Sequence, residues 1–236
     1  MYEVPSEVKK QIFFVIPSYN EDLNIVLSVL NDLYSNDYTN IVFVDDGSVK
    51  GKLSSLIPKF KKNTILLEHI INRGQGAALK TGIDFCLKNK NMKYIVTFDS
   101  DGQHRISDLP KFIDILEKDK CDIALGSRFL RKESIKKTPF KKRVLLKGAL
   151  MVTLFLSSIQ LTDTHNGYRV MNKKAASLID ISMDGFDHAS EILDEISKKA
   201  ISYKEIPTII DYTDYSKEKG QKFSNSLIIL LRMIFK

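Results

Sequence analysis

Val96-Thr97-Phe98-Asp99-Ser100-Asp101-Gly102-Gln103-His104 is the stretch on which the reading of this sequence turns. The run from Tyr94 to Phe98 is apolar and β-prone, and it reads as a buried parallel strand. It ends in two carboxylates one residue apart, with an amide two residues further on and Gly102 between. Carboxylates at the carboxyl end of a central strand face the crevice in which open α/β sheets bind ligands. Donors that are all oxygen suit a hard divalent cation, Mg2+ or Mn2+, which completes its shell with water and phosphate oxygens. Asp99, Asp101 and Gln103 are therefore candidate metal ligands, and a diphosphate is the expected companion. The plainer alternative is that Asp99 and Asp101 cap a helix starting near Ser107.

Upstream of this strand the same pattern occurs twice. Gln11 to Ile16 is an apolar strand, which Pro17-Ser18-Tyr19-Asn20-Glu21-Asp22 is expected to break into a turn. A helix follows, with Ile25, Val26, Val29, Leu30 and Leu33 on one face and Asn20 or Glu21 as its cap. Asn40 to Val44 is the second strand, and Asp45-Asp46-Gly47-Ser48 closes it at βαβ spacing. An Asp there commonly accepts hydrogen bonds from a ribose or a base, although Asp-Gly-Ser is also ordinary turn chemistry. Thr64 to Ile70 is the third strand, and Asn72-Arg73-Gly74-Gln75-Gly76-Ala77 opens the next helix. Leu79 fills the third glycine position of the dinucleotide fingerprint, which disfavours an NAD site. A nucleotide-contacting loop fits better, with Arg73 and Lys80 supplying positive charge.

Downstream, Asp108 to Glu117 reads as a helix with Pro110 in its first turn. Asp122 to Gly126 reads as a strand, Tyr168 to Met171 as a short one, and Tyr203 to Tyr212 as an edge strand because of Pro207. Asp187-His188-Ala189-Ser190-Glu191 opens an amphipathic helix with Ile192, Leu193 and Ile196 on its buried side. Residues 213–236 are expected to form a polar loop, Asp214 to Lys222, and a short apolar helix, Leu227 to Phe235.

The 236 residues, 43% hydrophobic and 28% charged, suit one large α/β domain and exclude a disordered chain. Cys86 and Cys121 have no CxxC spacing and read as reduced core thiols of a cytosolic protein. The N-terminal stretch, with Glu3, Glu7, Lys9 and Lys10, does not read as a signal peptide, so the mature chain is expected to equal the translation product. Arg128 to Lys147 holds nine basic residues against Glu133 alone, a net +8 where the whole chain carries +7. The charge is thus local, and the uncharged run Gly148 to Ile159 follows it directly. A basic run leading into an apolar helix too short to span a bilayer is expected to lie on an anionic membrane surface, the alternative being a buried core helix.

In order and spacing these motifs resemble the family 2 glycosyltransferases of the GT-A fold. The likeness rests on Ile16 to Glu21, Val44 to Ser48, Asn72 to Ala77 and Asp99-Ser100-Asp101. Within the family the chain most resembles the dolichyl-phosphate and undecaprenyl-phosphate sugar transferases, through Asp99, Asp101, Gln103 and His104, Gly126-Ser127-Arg128, and the turn Asp163 to Arg169. The resemblance implies a single Rossmann-like α/β domain over 1–212, with a mostly parallel sheet flanked by helices and C-terminal interfacial helices. It implies that Pro17, Tyr19, Glu21, Asp46, Arg73, Lys80 and Ser100 hold a nucleotide sugar, UDP before GDP, with Asp46 on the base. Asp99, Asp101 and Gln103 would hold Mg2+ or Mn2+. Arg128, Arg131, Arg143 and Arg169 would bind the phosphate of a polyprenyl acceptor. Two departures stand out. Many relatives carry long transmembrane segments after this domain, and His165-Asn166 occupies a place where small hydroxylated residues are common.

The implied activity is an inverting transfer to polyprenyl phosphate at the cytoplasmic membrane face, with a small membrane protein or a second copy as possible partner. An acceptor phosphate is already ionised near neutral pH and needs no strong base. A glycan hydroxyl would need one, and Asp163, Asp187 and Glu191 are the candidates. A non-catalytic nucleotide or nucleic-acid module is the third reading, but no nucleic-acid motif accompanies the basic run.

Overall fold

Strand β1 (Ile12–Ser18) is buried along its whole length. Ile12, Phe14 and Ile16 join one core cluster and Phe13 and Val15 the other, as a two-residue period requires of a strand covered on both faces. The computed structural model describes residues 2–50, 52–119, 121–138, 143, 148, 159–185 and 187–212. Around β1 lie β2 (Ile41–Asp45), β3 (Thr64–Glu68), β4 (Tyr94–Thr97), β5 (Ile123–Ser127), β6 (Arg169–Asn172) and β7 (Tyr203–Pro207). They form one seven-stranded sheet in the order β3-β2-β1-β4-β6-β5-β7. All pairings are parallel except those of β6, which runs antiparallel to both β4 and β5.

The helices in chain order are α1 (Ser6–Lys9), α2 (Leu23–Ser35), α3 (Gln75–Leu87), α4 (Leu109–Lys118), α5 (Lys132–Lys137), α6 (Lys173–Leu178) and α7 (His188–Lys198). One face of the sheet packs against Val26, Leu30 and Leu33 of α2 and Phe112 and Leu116 of α4. The opposite face packs against Leu79, Ile83 and Cys86 of α3, Ala175 of α6 and Ile192, Leu193 and Ile196 of α7. Gly82 brings α3 close to the sheet, since a Cβ there would lie 2.4 Å from Cγ1 of Val15. The fold is therefore the expected α/β domain, a mostly parallel sheet between two helical layers.

Several details differ from the sequence reading. Pro17 does not end β1; it pairs with Val44, and the strand continues to Ser18. The β1–β4 ladder stops at Val15 and Thr97, and the Pro17 nitrogen faces that vacated side, so its missing N–H costs no ladder bond. The cap of α2 is Asp22, whose carboxylate accepts from the Asn24 N–H at 2.8 Å, and neither Asn20 nor Glu21 takes that place. Asn20 instead adopts φ 50° and staples the loop after β2, accepting from the N–H groups of Val49 and Lys50 at 3.0 and 2.9 Å. A 3-10 turn at Ile106–Asp108 precedes α4, so Asp99 and Asp101 cap no helix. The expected loop from Asp214 to Lys222 and helix from Leu227 to Phe235 lie outside the described residues, as does the 148–159 run except Gly148 and the buried Ile159. Among the described residues no helix is long and apolar enough to cross a membrane.

Strand order reverses between β1 and β4, which opens a crevice outside their carboxyl ends. Because β6 is antiparallel, its amino end meets the same crevice: Arg169 sits opposite Thr97 of β4 and Leu125 of β5. The 163–168 turn is thereby delivered to the acids that follow β4.

Candidate active site

The turn after β4 is fastened on every side. The Thr97 hydroxyl donates to the Gly167 carbonyl at 2.6 Å, and the Ser100 hydroxyl donates to the Pro17 carbonyl at 2.9 Å. Asp99 is held by Nε2 of His104 at 2.8 Å and by Nε2 of Gln75, the first residue of α3, at 3.2 Å. Gly167 backs directly onto it, and a Cβ there would come within 2.7 and 2.9 Å of its two oxygens. Asp101 accepts from the Gln103 N–H at 3.1 Å, and the Gln103 side-chain amide also points at its carboxylate. Gly102 permits this tight reversal with φ 73°.

Electrostatics divide the two acids. Burial pushes the Asp101 carboxyl up to about 6, and the neighbouring charge of Asp99 adds to this. Burial works the same way at Asp99, but His104, with Arg169 beyond it, carries its carboxyl below the ordinary value. Two acids confined in one turn, one of them driven toward its neutral form, are relieved by a divalent cation. With the Gln103 amide able to rotate its oxygen inward, the set fits Mg2+ or Mn2+. Among the described residues no group of three or more His, Cys, Asp or Glu side chains forms a metal cluster, so this pair with its amide is the candidate.

At the β1–β3 end, Asp46 is buried and has donors from its own chain on both oxygens. They are the N–H groups of Arg73 and Gly74 at 3.0 and 2.6 Å, Nδ2 of Asn72 at 2.9 Å and Nδ1 of His69 at 2.7 Å. Four bonds exhaust the usual capacity of a carboxylate. The Arg73 guanidinium turns to Asp184 at 3.1 Å, and Lys80 turns to Asp84 and Asp180 at 3.0 and 3.3 Å. The first amides of α3 are also occupied, because Gly76 and Ala77 donate to the Asp184 carbonyl. What α3 offers the crevice is the Gln75 side chain. Tyr19, Val49, Ile70 and Ile71 stand exposed on the loops after β1, β2 and β3, and Glu21 is half-buried beside them in sequence.

At the β5–β6 end, Arg128 is buried. Its backbone N–H and Nε donate to one oxygen of Asp163 at 3.0 and 2.6 Å, Nη2 to the His165 carbonyl at 2.8 Å, and Nη1 to the Tyr212 hydroxyl at 3.3 Å. Burial opposes its charge, and Asp163 together with Tyr212 more than compensates, holding the guanidinium above its usual range. Arg169 is 2% exposed, and its Nη1 has no hydrogen-bond partner among the described residues. Burial lowers this guanidinium to about 10 against the pull of Asp99 and Asp163. Burial also lowers His165 and His188 to about 4, so both rings are neutral near pH 7. Arg131 lies 3.8 Å from Asp108, and Arg143 donates to the Thr138 carbonyl at 3.3 Å. Glu191 is taken up by the Ser182 and Met183 N–H groups at 3.0 and 2.9 Å, and Asp187 stands at the N-terminus of α7 without a side-chain capping bond.

The structure thus gathers Asp99, Asp101, Gln103, Arg128, Asp163 and Arg169 around one crevice and turns Arg73, Lys80 and Glu191 to other partners. Gln75, His104 and Glu205 were not singled out for these roles in the sequence. Glu205 accepts from Thr162 and Asp163 N–H groups at 2.9 and 3.2 Å and so shapes the turn that holds Arg128. Its visible signal is an acid inside an otherwise apolar strand end, Glu205-Ile206-Pro207.

The family model described as glycosyl transferase family 2 matches residues 13–179. An uncharacterized protein of Methanocaldococcus jannaschii is 36% identical over 228 residues, covering 96% of this chain and 92% of its own. A UDP-N-acetylglucosamine–dolichyl-phosphate N-acetylglucosaminyltransferase of Methanococcus voltae is 29% identical over 242 residues, covering 95% of each. Glucosyl-3-phosphoglycerate synthase of Mycobacterium tuberculosis, solved with Mn2+, UDP and phosphoglyceric acid, superposes with a TM-score of 0.61 at 14% identity over 97% of this chain and 81% of its own.

Proposed function

Because the chain belongs to glycosyl transferase family 2, and is on that account a glycosyltransferase, we propose that it moves a sugar from a UDP-sugar to polyprenyl phosphate, with inversion at the anomeric carbon. The observation that carries the choice of acceptor is the state of the candidate bases. Two of the three are engaged, Asp163 on Arg128 and Glu191 on the 182–183 loop, while Asp187 stands at the start of α7 without a capping bond. A hydroxyl acceptor would need a carboxylate free to take its proton. A phosphate acceptor brings its own ionised oxygen. The likeness to a dolichyl-phosphate transferase over nearly the full length of both chains supports the same acceptor class.

The residues take the following parts. Pro17, Tyr19 and Glu21, with the apolar rim around them, receive the base and ribose. Asp46 acts one step back, fixing the 72–74 loop by three of its four bonds, and Ser100 acts likewise by tying the turn to β1. Asp99, Asp101 and Gln103 would hold the divalent cation, which supplies charge neutralisation of the departing diphosphate. Arg128 uses three side-chain N–H bonds within the protein and has two more with which to meet a phosphate. Arg169 adds buried positive charge behind it, with Arg131 and Arg143 nearer the rim. Together they would aim the acceptor oxygen at the face opposite the leaving group.

The acceptor is a membrane lipid, and the basic run from Arg128 to Lys147 would draw the enzyme to an anionic surface at the cytoplasmic face. A small membrane protein or a second copy of the chain would be the partner at that surface.

The test is transfer of label from a panel of nucleotide sugars to polyprenyl phosphate in detergent with Mn2+ or Mg2+. Label in the organic phase from one UDP-sugar, abolished by chelator and carrying the inverted anomeric configuration, is the expected result. Label that stays aqueous while glycan acceptors stimulate UDP release would overturn the acceptor.

A further inference from the structure

Five residues beyond β7, Thr208 to Tyr212, run from the end of β5 to the turn after β4, and each is tied to a different part of the crevice. Thr208 donates its N–H to the Ser127 carbonyl at 2.9 Å and accepts from Nδ2 of Asn166 at 3.1 Å. Ile209 donates to Asp108 at 3.2 Å. Ile210 bridges to His104 in antiparallel fashion. The N–H of Asp211 donates to the Gln103 carbonyl at 3.0 Å, and its carboxylate forms a two-point pair with Nε and Nη2 of Arg105, the second at 2.7 Å. The Tyr212 hydroxyl accepts from Arg128.

This strap is a bonded structure and not a loose connection. Thr208, Ile209 and Ile210 are 0%, 4% and 3% exposed. It is also the one described segment whose bonds reach both the backbone of Gln103 and the guanidinium of Arg128. The turn it grips reverses at Gly102 with φ 73°, and only the 3-10 turn Ile106–Asp108 lies between it and the α-helix that begins at Leu109. Pinning the Gln103 carbonyl fixes the point from which the Gln103 amide reaches toward Asp101. The Arg105 pair fixes Asp211 in turn, from the far side of the same turn.

We propose that Asp211 and Tyr212 are positioning residues, through which the strap sets the metal-holding turn and the acceptor-facing Arg128 in register with each other. The inference rests on the assignment of Asp101 and Gln103 to a divalent cation and of Arg128 to the acceptor phosphate. Neither strap residue needs to touch a substrate. Asp211 acts through the Gln103 backbone, so its effect falls on cation affinity. Tyr212 acts through Arg128, so its effect falls on acceptor binding and leaves the cation alone. Only a positioning role separates the two effects in this way, since a general loosening of the fold would move both.

The experiment is titration of Mn2+ into the ligand-free full chain, followed by calorimetry and by the paramagnetic signal of free Mn2+. Asp211→Asn keeps the backbone bond and loses the ion pair, and is expected to weaken Mn2+ about tenfold, the usual scale for a residue behind a metal ligand. Asp211→Glu should recover part of that loss, and so should the exchanged pair Arg105→Asp with Asp211→Arg. Tyr212→Phe should raise KM for polyprenyl phosphate severalfold while Mn2+ affinity and KM for the nucleotide sugar stay level. Asp101→Asn run alongside separates the layers. If it abolishes Mn2+ binding and folded Asp211→Asn does not alter it, the strap proposal fails while the metal site stands. If Asp101→Asn leaves Mn2+ binding intact, the metal site fails and the strap's role toward it falls too.

Discussion

Arg128 and Asp163 show how one residue pair answers a question of mechanism. Their side chains are 6% and 0% exposed, so each charge relies on the other. Removing one partner of a buried pair costs about 3–5 kcal/mol. Asp163→Ala is therefore expected to lower the unfolding free energy by about that amount in denaturant titrations. A catalytic base would behave otherwise, giving a stable and inactive protein. His188 offers a second residue-scale check. Its Nδ1 donates to the Gly185 carbonyl at 2.7 Å, and burial, with Arg169 nearby, lowers its pKa from 6.5 to about 4. Asp99 and His165 are the other titratable groups acting on it. The unfolded ring takes up a proton near 6.5 and the folded ring only near 4, so stability is complete above pH 6.5 and is lost as pH falls toward 4. In His188→Gln the unfolding free energy should fall less between pH 7 and pH 4.5, by about 2 kcal/mol. An unchanged acid limb would show that the ring is not buried neutral.

Elements were legible to the extent that burial writes itself into composition. The strands β1, β2, β4 and β5 are covered on both faces and appear as continuous apolar runs, and the acids that follow β1, β2 and β4, with Arg128 after β5, mark the crevice. Pro17 misled because its effect depends on which neighbour its nitrogen faces, and that is a property of the ladder. The place of β6 was not legible either, since four residues carry no statement of which strands they separate or in which direction they run. The same limit applied at the site. Asp46, Arg128 and Glu191 were visible as chemistry, but the partners that occupy them come from segments 8 to 84 residues away in sequence. At element scale the prediction concerns Gly82. Alanine inside a helix gains up to about 1 kcal/mol over glycine. Here its methyl would meet Val15 at 2.4 Å, and overpacking of a filled core costs about 1–3 kcal/mol. The second effect should win, and Gly82→Ala should lower the melting temperature where a typical helical glycine would raise it.

For the whole molecule, charge distribution carries more than net charge. The +7 of the chain is accounted for by one stretch of sequence, Arg128 to Lys147, and is not spread along the chain. Reversing Lys141, Lys142 and Arg143 to glutamate should weaken binding to anionic liposomes by more than tenfold, at about 1 kcal/mol for each residue near the surface. Added salt should weaken the parent chain in the same direction, and nucleotide-sugar affinity should not change. Binding indifferent to the substitutions would remove the electrostatic part of membrane contact.

The antiparallel insertion of β6 also sets an order of events for the growing chain. The Thr97 bond to Gly167 closes a loop of 70 residues, and β5, made in between, does not pair with β4. Until Arg169 to Asn172 has been synthesised, the inner edge of β4 stands open with its backbone unpaired, an edge of the kind that invites pairing with other chains. The centre of the sheet thus closes only after β1 to β5 have been made, with β7 alone still to add, and truncations that end before β6 should aggregate during synthesis instead of yielding a smaller stable domain.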